Sequence, residues 1–200
     1  MTQRSMKIYT RRGDDGSTGL VDNTRISKDS DRMEAIGALD ELNASVGFLY
    51  AGVMERKLGD LHVTLEDGSV HSLNSMLHTI QRLLLQAGHV LSMPANTAPD
   101  QMPVFEETAC RTLEKWMDAM QKELEPLRAF ILPGSGELNA RTHLARTICR
   151  RAERNLCRFA QDASVSSSLS AWLNRLSDWL FVTARWIGHH QGEQELLWHD

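Results

Sequence analysis

From Glu137 onward the chain places an apolar or small residue at alternating steps of four and three: Leu138, Thr142, Ala145, Cys149, Ala152, Leu156 and Phe159. That spacing is the seam along which one side of a helix packs against its neighbours. At about 100° per residue, His143, Arg146, Arg150 and Arg154 gather on the far side. A solvated helix face usually interleaves acids at four-residue spacing, but Glu153 is the only acid between His143 and Arg158. Guanidinium groups can pair two phosphate oxygens at once. The segment therefore predicts a packed helix whose outer face holds a phosphorylated ligand, weighed against the plainer reading of a solvated face.

The chain as a whole carries 22 basic and 26 acidic residues, a formal charge of -4, which speaks against a generic nucleic-acid binder. The positive charge is local, so the anion should be small. Two hundred residues suit one domain, and no low-complexity linker divides them. Helical periodicity predicts five helices, at about 31–55, 72–92, 103–123, 137–162 and 167–190. Proline and glycine punctuate the connectors MPANTAPDQMP and PLRAFILPGSG, and ASVSSSLS offers several N-caps for the fifth helix. Only HVTLEDGSVHS, within an excursion spanning 57–75, alternates around an Asp-Gly turn as a short hairpin would. Without other convincing strands, the fold class expected is all-α, a helix bundle.

Cys110, Cys149 and Cys157 form no CxxC pair and read as reduced residues of a cytosolic protein. The N-terminal MTQRSMKIYT lacks the apolar stretch of a signal peptide, and no run approaches the roughly 20 apolar residues of a membrane span. A soluble, cytoplasmic protein is expected, with no nucleic-acid or membrane partner. Neither HExxH nor a zinc-type Cys/His spacing is present, so no metal ligand is assigned to the protein.

Three further regions carry candidate chemistry. On the first helix Met33, Ile36, Gly37, Asp40, Asn43, Ala44, Gly47 and Ala51 project together, a small-residue side on which Asp40 is expected to be partly buried and to need a cation. An ordinary cap or intrachain salt bridge accounts for Asp40 equally well. Residues 10–20, TRRGDDGSTGL, can offer backbone N–H groups and hydroxyls to phosphate, although such a stretch is more often a turn; Lys28 follows within reach. On the fifth helix Trp172, Trp179 and Trp186 recur every seven residues as core or interface, with Asn174, Asp178 and Arg185 on the other side.

Taken in order, TRRGDDGSTGL, Lys28, GALDELNASVG, FILPGSG, ARTICRRAER and WLNRLSDWLFVTAR resemble the PduO-type ATP:cob(I)alamin adenosyltransferases over nearly the whole chain. The resemblance implies a homotrimer of five-helix bundles with an N-terminal nucleotide-binding loop. It divides the chain into an ATP-binding loop segment at 1–29, the bundle at 30–190 and a C-terminal tail at 191–200. It implies ATP with Mg²⁺ bound through the nucleotide, and transfer of the 5′-deoxyadenosyl group to cob(I)alamin with release of triphosphate. Nucleotide contacts fall on Thr10, Arg11, Arg12, Gly13, Thr18, Gly19, Lys28, Arg150, Arg151, Glu153, Arg154 and Asn174. Catalytic roles fall on Arg150, nearest the leaving triphosphate, on Asp40 pairing with Arg146 across a subunit interface, and on Phe130 against the corrin. Phe130 resembles the family phenylalanine that excludes a lower axial ligand and so eases reduction of Co(II). A cobalamin-dependent client enzyme is a candidate partner. The sequence departs from the family at Pro133-Gly134-Ser135-Gly136, where PGG and a hydroxyl residue are usual, and in the longer 57–75 excursion. Two other readings are a non-catalytic cobalamin-delivery module, which would not need the phosphate-binding residues, and a phosphate-sensing helical regulator, which would ignore cobalamin.

Overall fold

A computed structural model describes residues 8–94, 97–98, 100–161 and 163–198. Five helices dominate it: α1 (Asp31–Glu55), α2 (Leu73–Ser92), α3 (Thr108–Gln121), α4 (Glu137–Phe159) and α5 (Ser167–His190). In space the helices run in the order α2, α1, α4, α5, α3, so α1 and α4 lie side by side at the centre. Ser30 caps α1 by accepting from the Met33 N–H, and Ser72 caps α2 by accepting from Ser75. Asp31 and Glu34 place negative charge in the first turn of α1, where the helix dipole favours it.

The core is the meeting of five apolar seams. Leu42, Val46, Leu49 and Val53 of α1 face Leu138, Ala145, Cys149 and Ala152 of α4, all essentially inaccessible. Trp172, Trp179 and Trp186 of α5 are fully buried, so the tryptophan stripe is core. At Gly52 α1 and α4 approach closely: a Cβ there would stand 2.6 Å from Leu138 Cδ2 and would also meet the Arg141 guanidinium. A glycine inside a helix costs roughly 1 kcal/mol against alanine, and here it admits the partner helix.

The largest departures from the periodicity are at two helix ends. The third helix begins at Thr108, not 103, because Pro103 interrupts the backbone pattern while Phe105 still packs inward, its ring 5.2 Å from that of Trp172. The hydrophobic spacing thus continues past the helical backbone. The fourth helix ends at Phe159, with Ala160 as its cap; residue 162, the end expected for it, lies outside the described residues.

The structure also contains three two-stranded antiparallel sheets. The expected hairpin is present as β3 (His62–Thr64) and β4 (Val70–Ser72), closed by Gly68 at φ +79 and by Asp67 accepting from Ser69. It rests on α3 through buried Val63 and through His71, 5.6 Å from the Trp116 ring. The others were not expected: β1 (Ser17–Gly19) pairs with β2 (Arg25–Ser27), and β5 (Ile131–Leu132) pairs with β6 (Leu196–Leu197). Strands of two or three residues are too short to display alternation. No helix among the described residues is long and apolar enough to cross a membrane.

The Gly52 crossing yields a stability prediction. Gly52→Ala should lower the urea midpoint by the equivalent of about 1–3 kcal/mol through overpacking against buried Leu138, despite alanine's better helix propensity. An unchanged or raised midpoint would show that the two helices can move apart without cost.

Candidate functional site

The arginines of α4 occupy graded environments. Arg146 is half-buried, whereas Arg150 and Arg154 are exposed. His143 departs from expectation: it does not share their solvated face but is 2% exposed. Its position borders the buried seam, and α5 covers it, with the Phe181 ring edge-on at 5.9 Å. The His143 Nδ1 accepts from the Arg146 Nε–H at 3.3 Å. Burial, and then the charge of Arg146, push the imidazole pKa down to about 4. Burial also lowers the pKa of Arg146, with Arg150 adding repulsion.

The remaining cations on this helix have different partners. Arg151 pairs with Glu41 of α1 within the protomer. Glu153 accepts from Asn174 Nδ2 at 2.9 Å, so two expected nucleotide contacts on different helices do meet. Arg154 Nη1 donates to the Arg150 carbonyl at 3.2 Å. Arg150 itself makes no side-chain hydrogen bond or ion pair among the described residues. Asp40 is exposed and makes no ion pair among the described residues, against the expectation of partial burial. The reason is geometric: α4 packs on the Leu42–Val46–Leu49 seam, leaving the side bearing Gly37, Asp40 and Ala44 uncovered in a single protomer.

The N-terminal segment is a self-braced hairpin. Lys28 Nζ donates to the Gly13 carbonyl at 2.7 Å, and a Cβ on Gly13 would come within 3.2 Å of that nitrogen. Gly16 turns the chain at φ +82, and the Lys28 N–H donates to its carbonyl at 2.9 Å. Asp15 accepts from the backbone and hydroxyl of Ser17; these bonds, followed by Arg25, hold its carboxyl below the usual range. Thr18 and Gly19 lie on β1 opposite Ile26 and Arg25. Thr10, Arg11 and Arg12 are exposed, Arg11 with φ +59 and its guanidinium 5.7 Å from the Tyr9 ring. The Val21 N–H donates to the Ser92 carbonyl, which ties this segment to the end of α2. Among the described residues, no hydrogen bond or ion pair joins residues 8–28 to Arg150, Arg151, Glu153, Arg154 or Asn174.

A cavity of about 580 Å³ is lined by Leu127, Ala129, Phe130, Ile131, His143, Arg146 and Phe181. Phe130 stands at its rim, 77% exposed, and His143 and Arg146 supply the polar side chains of that lining. Its carbonyl accepts from the Trp198 N–H at 2.8 Å, and the two rings lie 6.1 Å apart. Arg185, expected on the side of α5 away from the tryptophan stripe, is 5% exposed; it anchors this tail through Glu195 at 2.6 Å and also donates to the Glu125 carbonyl at 2.7 Å. Gly134, at φ +118, donates its N–H to Asn139 Oδ1, so the Pro-Gly-Ser-Gly turn leads directly into α4. Periodicity does not single out Trp198; the signal in the chain is the apolar Leu196-Leu197-Trp198 within a charged tail. The hollow beneath the β3–β4 hairpin differs in kind, since its charges pair with each other, Lys115 with Asp67 at 3.6 Å and Lys122 with Glu66 at 3.5 Å.

Comparison with known proteins adds an independent line. Residues 8–187 match the family model described as cobalamin adenosyltransferase. The chain is 34% identical over 200 residues to the Homo sapiens corrinoid adenosyltransferase MMAB, covering 98% of this chain and 75% of that protein. It is 37% identical over 195 residues to a Mycobacterium bovis corrinoid adenosyltransferase, covering 96% and 92%. Its fold is similar to that of a variant PduO-type ATP:corrinoid adenosyltransferase from Lactobacillus reuteri complexed with cobalamin and ATP, with a TM-score of 0.82 at 29% identity, over 97% of this chain and 100% of that one.

The buried imidazole makes stability depend on pH in a defined direction. Unfolding restores the ordinary value of 6.5, so between about 6.5 and 4 the unfolded chain binds the extra proton and the folded chain does not. Stability should therefore fall as pH drops through that window and gain nothing from this group above it. The difference in urea midpoint between pH 7 and pH 4.5 should shrink in His143→Gln; an identical difference in both proteins would refute the assignment.

Proposed function

The chain belongs to the cobalamin adenosyltransferase family, and from that premise we propose how its residues divide the reaction. It transfers the 5′-deoxyadenosyl group of ATP to cob(I)alamin, giving adenosylcobalamin and triphosphate. The reduced cobalt supplies the electron pair. A Co–C5′ bond forms as the C5′–O bond breaks, and triphosphate departs with that bond's electrons. The protein needs neither a nucleophile nor a general base, so its task is alignment and charge stabilisation. In-line attack requires the reacting atoms to be held at about 3–3.5 Å.

Arg150 is the group that meets the charge on the departing oxygen. The observation that supports this role is its lack of a side-chain partner among the described residues, beside Arg151, which Glu41 engages. Arg146 lies one turn earlier, about 5–6 Å along the helix axis, in the wall of the Phe130 cavity. The cavity takes the corrin face, with Phe130 against the cobalt. The nucleotide lies along Arg150, Arg151, Glu153, Arg154 and Asn174, while Thr10, Arg11, Arg12, Gly13, Thr18, Gly19 and Lys28 contribute the opposing wall. Mg²⁺ enters with the triphosphate and supplies further charge neutralisation there.

The two walls come from different subunits of a homotrimer. Supporting this are the lack of polar contact, among the described residues, between the N-terminal hairpin and the arginine face, and the uncovered small-residue side of α1. Phe48 and Leu144, each 52% exposed, add apolar surface to α1 and α4. Asp40 then finds Arg146 of a neighbour, which answers the lack of an intrachain partner. The division into loop segment, bundle and tail at 1–29, 30–190 and 191–200 follows from the same proposal.

Incubation with fully reduced cobalamin, ATP and Mg²⁺ should give the optical change to adenosylcobalamin with release of triphosphate. Arg150→Ala should slow it by about 10- to 150-fold, the size of one lost charge-assisted contact, with the assembly intact by size-exclusion chromatography. Wild-type protein that forms no product from fully reduced substrate would overturn the activity; undiminished turnover in Arg150→Ala would overturn that residue's role.

A further inference from the structure

His143 is costly where it stands. Its Nε2 is buried and has no hydrogen-bond partner among the described residues, while Nδ1 is taken by Arg146. Since Nδ1 accepts, the neutral ring carries its proton on Nε2, and that N–H is the unsatisfied one. Burying an unpaired donor is destabilising, and a leucine or phenylalanine would fill the same space against Phe181 without that penalty. Packing therefore does not account for an imidazole here. What only the imidazole supplies is the acceptor at Nδ1.

That acceptor acts on a specific side chain. Arg146 is half-buried, in the wall of the Phe130 cavity, and has no carboxylate partner among the described residues. Left to itself, a guanidinium on a flexible stem samples many rotamers. A bond from its Nε to a ring three residues back on the same helix holds it and leaves both Nη groups without a partner among the described residues. The ring's depressed pKa keeps it an acceptor throughout the neutral range, so it does not repel the arginine.

We propose that His143 is a positioning residue that fixes the Arg146 guanidinium through Nδ1, so that its Nη donors are oriented toward the cavity and the neighbouring subunit. The inference rests on the adenosyltransferase reading for its kinetic consequence, but not for its structural one. The burial cost and the single accepted bond belong to one device, in which stability is given up for the orientation of a cation.

Three variants separate this role from simple packing. His143→Phe keeps a ring and removes both nitrogens, His143→Asn keeps an acceptor near the Nδ1 position, and His143→Gln provides an amide placed farther out. His143→Phe should be at least as stable as wild type in urea, yet lose about tenfold or more in kcat with KM for ATP within about twofold, while His143→Asn recovers most of the rate. His143→Gln should recover less than His143→Asn. Independently of turnover, the Arg146 Nε–H resonance in ¹⁵N-arginine-labelled protein should be protected in wild type and His143→Asn and lose protection in His143→Phe.

A His143→Phe protein that is less stable than wild type, or that retains full kcat, would overturn the proposal, as would unchanged protection of the Arg146 Nε–H. If wild type makes no adenosylcobalamin while the Nε–H result holds, the function fails and the positioning stands. If wild type is active and the Nε–H result fails, the reverse is true.

Discussion

The close crossing of α1 and α4 governs the rest of this molecule. Gly52 lets the two helices approach until Leu138 fills the space a side chain would need, and the apolar seams then zip along Leu42, Val46, Leu49, Ala145 and Cys149. This choice of buried faces fixes which faces remain. On α1 the small-residue side with Asp40 is left outward, and on α4 the side with Arg150 and Arg154 is left outward. Because every residue on a helix is locked to its neighbours by the 3.6-residue repeat, committing one face to the core commits the other to function.

Within that frame, charge is controlled by unequal pairing. Glu41 engages Arg151, the Arg150 carbonyl receives Arg154, and His143 receives Arg146. Arg150 is left with an exposed guanidinium that no described residue engages. A leaving triphosphate needs stabilisation by groups that do not first have to break another ion pair, and preorganised cations meet that need with little reorganisation. The cavity end of α4 is organised differently: Phe130 is held by β5–β6 pairing and the Trp198 backbone, and buried Arg185 anchors the tail through Glu195. One helix therefore links an exposed arginine surface to an apolar cavity.

Much of this was readable in the chain because the signals were local. The spans predicted for the first and fifth helices, 31–55 and 167–190, coincide with those found: Ser30 caps the first, and a serine-rich run opens the fifth. Glu153 and Asn174 were named for one ligand and do lie together. What could not be read depended on tertiary neighbours. His143 sits at the edge of the polar arc, and only the arrival of Phe181 decides that it is buried. Arg185 looks exposed until Glu195 returns from the tail to meet it. The start of α3 was misplaced because Phe105 keeps the apolar rhythm after Pro103 has broken the helix, and the paired strands were too short for any rhythm.

The central claim is that each protomer supplies half of two sites, a loop wall for one and an arginine wall for another. Mixed-subunit complementation tests it most directly. Arg150→Ala protomers keep an intact loop, Lys28→Ala protomers keep an intact arginine face, and each alone should be nearly inactive. After joint unfolding and refolding of an equal mixture, random assembly of a closed ring should place an intact loop against an intact arginine face in about a quarter of the sites. Recovery of adenosylcobalamin formation to about that fraction of the wild-type rate is the expected result. A mixture no more active than its components would mean that loop and helix act within one protomer, and would contradict the account.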